Sequence, residues 1–85
     1  MTPLQAEKVR QVYNLIVKWA DEGMEAKTIC QRLHNVGLIR FRDDYRGFTL
    51  RCSPIVTSCT GSADGLIANF KRQATVKLAL AGVQS

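Results

Sequence analysis

Gly23 to Gly37, GMEAKTICQRLHNVG, is a short segment bracketed by two glycines, around which the rest of the chain is organised. Ala26, Ile29, Cys30 and Leu33 recur at three- and four-residue intervals and Val36 continues the series, so one face of a short helix is apolar. Lys27, Thr28, Gln31, Arg32 and Asn35 make the opposite face polar. A helix this short is marginal alone, so the rest of the chain must hold it.

The support comes from upstream. Thr2-Pro3-Leu4-Gln5 carries a capping box with proline at the first helical position. Val9, Val12, Tyr13, Ile16, Trp19 and Ala20 then form the apolar stripe of a core helix of about twenty residues, with Trp19 and Tyr13 as its largest anchors. Gly23 ends it in the left-handed conformation, and the tight Gly23-Met24 connection makes the two helices a helical corner.

After Gly37 the period changes from helical to two. Ile39 and Phe41 alternate with Arg40 and Arg42, and Phe48, Leu50 and Cys52 alternate with Thr49 and Arg51. DDYRG between them has the composition of a turn, giving a hairpin with a five-residue loop. Such a loop leaves the register open by one position, and a slip would bury the arginines instead. Burying unpaired cations is costly, so the register with Arg40, Arg42, Arg51 and Arg46 outward is favoured.

Ser53-Pro54 repeats the cap-then-proline signal, whereas IVTSC after it is β-branched enough for a strand or an irregular segment. Ser62 or Asp64 then caps a last helix to about Ala81, striped by Leu66, Ile67, Phe70, Ala74, Leu78 and Ala81. Gly82 stops it and Val83 to Ser85 fray. The expected fold is mainly α with a small β-hairpin (α+β): a helical corner, a hairpin and a C-terminal helix in a single small domain over residues 1–85.

Composition bounds what this fold does. With 46% hydrophobic and 22% charged residues the chain is globular, and 85 residues barely supply one core. There is no cationic leader before an apolar run and no run of eighteen apolar residues, which points to a cytoplasmic protein with no membrane partner. Three cysteines then read as reduced thiols. The net charge of +5 is asymmetric: residues 1–37 hold five cations and four anions, residues 38–85 seven and three. An anionic partner would account for that bias.

Candidate chemistry is sparse. Cys30 and His34 share a helical face and, with Cys52 and Cys59, make up a zinc-type donor set, but none has the close cysteine spacing of zinc modules. Buried thiols are the simpler reading, and no metal or cofactor is expected. The one histidine would have to activate any nucleophile, and the pairs Asp43-Asp44 and Asp21-Glu22 sit in a turn and at a helix end, so no enzyme is expected. The basic residues are more informative. Arg40, Arg42, Arg46 and Arg51 fall on one hairpin with Tyr45 at its tip, and Lys27, Gln31 and Arg32 lie on the neighbouring helix. Such a surface suits a phosphate backbone, with the helix entering the major groove.

Residues 8 to 38, KVRQVYNLIVKWADEGMEAKTICQRLHNVGL, resemble the opening of helix-turn-helix and winged-helix DNA-binding domains. GMEAKTICQRLHNVGLIRFR is also similar to part of the accessory DNA-binding region of large serine recombinases. The resemblance covers about a third of the chain. It implies a winged-helix-like fold and a small DNA-binding protein that regulates transcription or recombination in phage, plasmid or bacterial systems. It also departs from those families, because a hairpin stands where their recognition helix follows. Gly23 to Gly37 is then either the positioning helix or the reader. The rival expectation is a phage-type inhibitor or adaptor whose basic hairpin docks on an acidic host protein or nuclease. Self-association as a homodimer is compatible with either.

Overall fold

The computed structural model describes residues 2–53 and 55–82. It is an α+β fold with the order α1 (Pro3–Asp21), α2 (Ala26–Asn35), β1 (Arg40–Asp44), β2 (Gly47–Cys52), β3 (Ile55–Cys59) and α3 (Ala63–Gly82). The strands form an antiparallel sheet in the order β1-β2-β3.

Local chemistry sets the helix ends. At the start of α1 the Gln5 amide donates to Thr2 Oγ1 at 3.2 Å, and the Thr2 amide donates to Gln5 Oε1 at 3.0 Å, the reciprocal capping box. Its exit is a Schellman turn. The Met24 amide donates to the Trp19 carbonyl, the Gly23 amide donates to the Ala20 carbonyl, and Gly23 has φ +86°. Leu38 and Gly37 repeat this closure on the carbonyls of Leu33 and His34. Of the two candidate caps for α3, Ser62 does the work: its Oγ accepts the Gly65 amide at 3.2 Å.

Helix α3 packs on β2 and β3, α2 packs on β1, and α1 packs on α2 and α3. Val9, Val12 and Ile16 of α1, Ile29, Cys30 and Leu33 of α2, Leu50 and Cys52 of β2, Ile55 of β3, and Leu66, Phe70 and Ala74 of α3 are buried together. Burying that apolar surface against α1, α3 and β1 is what holds the short α2 in place. Phe41 and Phe48 stack at the edge of this core with ring centroids 6.1 Å apart.

Several expectations need correcting. The hairpin loop is two residues, Tyr45 and Arg46, not five, because Asp43 and Asp44 pair with Phe48 and Gly47 and so belong to β1. Tyr13 and Trp19 are half-buried at the core margin, and the side chains of α1 that are sealed are the smaller Val9, Val12 and Ile16. Ala20 is exposed, and Val36, 63% exposed, ends rather than continues the apolar stripe of α2. Residues 55–59 form a strand, so the hairpin is part of a three-stranded sheet. Pro54, the side chain of Ala81, and the tail Val83 to Ser85 lie outside the described residues. No helix among the described residues is long and apolar enough to cross a membrane.

Candidate nucleic-acid interface

Strand alternation sorts the sheet into two faces. Phe41, Leu50 and Thr57 lie in one inward row, with Cys52 and Ile55 beside it. The outward rows are Arg40–Arg51–Val56 and Arg42–Thr49–Ser58. Arg40, Arg42 and Arg51 therefore share one exposed face, in the arginine-out register. Among the described residues the only ion pair is Lys27–Asp43, so none of these three guanidiniums has a carboxylate partner.

The His34 imidazole marks the β1 border of this face. The Phe41 amide donates to His34 Nδ1 at 3.3 Å. That places Phe41 opposite Leu50 in a row that makes no ladder bonds, and makes Arg40 and Arg51 a hydrogen-bonded pair with Cα atoms about 5.5 Å apart. His34, Arg40, Arg42, Thr49, Arg51 and Val56 with Phe41 line a shallow groove of ≈ 660 Å³.

At the hairpin tip, Asp44 Oδ1 accepts the Arg46 amide at 2.9 Å, an Asx turn that fixes the two-residue loop. Arg46 lies over the Tyr45 ring at 5.4 Å and its Nε donates to the Tyr45 hydroxyl at 3.0 Å. Tyr45 is 90% exposed, so this pair projects into solvent beyond the sheet.

The residues of α2 named with the arginines each have a partner. Lys27 Nζ is 3.2 Å from Asp43 Oδ2, which tethers α2 to the helix-covered side of β1. At this exposure the pair is worth about 0–1 kcal/mol. Arg32 stacks on Trp19 of α1 at 5.4 Å, and Gln31 Nε2 donates to Asn35 Oδ1 at 3.3 Å. The structure thus brings Arg40, Arg42 and Arg51 together, sets Arg46 at their end, and pairs Lys27, Gln31 and Arg32 with Asp43, Asn35 and Trp19.

The three thiols are free. Burial pushes Cys30 up to about 11 and also raises Cys52, against a weaker pull from Lys8. Cys59, half-buried where β3 ends, is lowered because the backbone amides of Ser62 and Gly61 donate to it. Cys30 and Cys52 lie in the core while His34 is exposed, and no group of three or more His, Cys, Asp or Glu among the described residues is placed to hold a metal ion.

Sequence reasoning placed Thr49 beside Arg51 but missed Val56 and Ser58 as members of the basic face. The usable signal was the period two of IVTSC, which continues the alternation of β2 into β3. Comparison with protein-family models, with curated proteins and with solved structures finds no match to this chain.

Proposed function

We propose that the chain is a small DNA-binding protein that contacts phosphates through its arginine-bearing sheet, a regulator of transcription or recombination rather than an enzyme. One observation carries this reading: Arg40 and Arg51 stand directly opposite on an exposed face, with Arg42 two residues along and no ion-pairing carboxylate among the described residues. Like charges in that position repel, and a bridging phosphate turns the repulsion into attraction. The helix-turn-helix resemblance of residues 8–38 supports the same class of partner.

A second reading keeps a specific observation. The chain passes from α2 directly into the sheet, without a further helix to enter a groove. An acidic protein surface would also satisfy the arginines, as expected of an inhibitor or adaptor. Fluorescence anisotropy with a labelled random-sequence duplex tests the first reading, comparing wild type with the Arg40→Ala, Arg42→Ala, Arg51→Ala triple variant. Loss of binding in the variant supports it. A wild-type protein that ignores duplex DNA, yet retains one protein from nuclease-treated lysate, favours the second.

A further inference from the structure

We propose that the DNA is duplex and is met by the outer face of the whole three-stranded sheet, with β3 inside the contact and α2 outside it. This rests on the DNA-binding reading above. The outer strands of a three-stranded sheet lie about 10 Å apart, comparable to the ~12 Å opening of the major groove of B-form DNA.

The residue types across the face fit this partner. Arginines occupy β1 and β2, the hydroxyl of Thr49 lies in the middle, and β3 adds the hydroxyl of Ser58 and the small apolar Val56, 51% exposed. Hydroxyls bond base edges or phosphates, and small apolar groups meet thymine methyls. Single strands are held instead by bases stacking on aromatic rings. The outward rows carry none, and the exposed Tyr45 ring at the hairpin tip is covered by Arg46. Duplex RNA hides its base edges in a deep, narrow major groove that a sheet face does not enter. Helix α2 borders the edge strand β1 through His34, and its Lys27 and Arg32 are held by Asp43 and Trp19.

The test reverses charge at Val56, a neutral and exposed position opposite Arg51. Anisotropy is measured with a random-sequence DNA duplex of about 20 base pairs, its single strand, and the matching RNA duplex. Val56→Glu is expected to weaken duplex DNA binding by about tenfold or more and Val56→Lys to strengthen it, a pair of opposite effects that misfolding does not produce. Thr28→Glu, on the exposed side of α2, is expected to bind like wild type. Wild-type affinity in Val56→Glu, or an equal loss in Thr28→Glu, overturns the assignment of the face. Single-stranded DNA or duplex RNA bound as tightly as duplex DNA overturns the assignment of the partner. Binding to none of the three probes overturns the underlying DNA-binding reading itself.

Discussion

Arg40 and Arg51 face each other directly across the β1–β2 ladder on the exposed side of the sheet, and neither is ion-paired among the described residues. Two opposed like charges destabilise a strand pair by a fraction of a kcal/mol to about 1 kcal/mol. Arg51→Thr removes the repulsion and keeps strand propensity, so it is expected to raise stability by about that amount while weakening DNA binding. Thermal unfolding and anisotropy on the same sample check both halves. A variant that is both less stable and fully competent to bind contradicts the pairing.

Gly47 opens β2 with φ +125°, and a Cβ there would lie 2.6 Å from the Cys59 carbonyl oxygen and 2.8 Å from the Thr60 Cα. Both obstacles are backbone, so the sheet itself must shift. Gly47→Ala is expected to cost about 3 kcal/mol or more, combining steric overlap with an unfavourable φ. At Gly23 nothing lies within 4 Å, so Gly23→Ala meets only the left-handed penalty of about 1–2 kcal/mol. Urea unfolding of the two variants should rank them in that order, and equal midpoints would refute the close approach.

Leu50 is fully buried at the centre of the inward face, within the core that the three helices share with the sheet. Leu50→Ala is expected to cost about 2–5 kcal/mol, a large share of the stability of so small a chain. Leu4, 79% exposed, provides the contrast: Leu4→Ala should stay within about 0.5 kcal/mol of wild type. Comparable losses at both positions would mean that the core is drawn wrongly.

The thiols should react in a fixed order. Lowered by the Ser62 and Gly61 amides, Cys59 holds more thiolate at neutral pH than an ordinary cysteine, whereas Cys30 and Cys52 are raised by burial. Iodoacetamide followed by peptide mass mapping should find Cys59 modified first and the other two only on unfolding. The same shifts set a pH window. A raised native pKa stabilises fully below the unfolded value and is lost as pH rises, so stability should fall as the pH climbs from the ordinary thiol range towards 11 for Cys30. Early labelling of Cys30 contradicts its burial.

The sequence made some of these features legible and hid others for physical reasons. The capping box at Thr2 and Gln5 and the glycine exits at Gly23 and Gly37 are local, so their signals stand within a few residues of each other. The outward arginines were legible because only one register avoids burying charge. The two-residue loop was not, since Asp43 and Asp44 look like turn residues and Asp43 is balanced by Lys27, sixteen positions away. Strand β3 was ambiguous because Ser53-Pro54 imitates a helix start, and pairing with β2 decides it. The engagement of Arg32 with Trp19 follows from how α1 packs on α2, which periodicity does not reveal.

If the arginine face of the sheet neutralises DNA phosphates, duplex binding must weaken steeply with salt. Contacts from Arg40, Arg42, Arg46 and Arg51 predict a slope of log K against log salt of about −3 to −4, falling by about two in the Arg40→Ala, Arg51→Ala double variant. Binding that is absent, independent of salt, or unchanged in slope in the double variant would contradict the account.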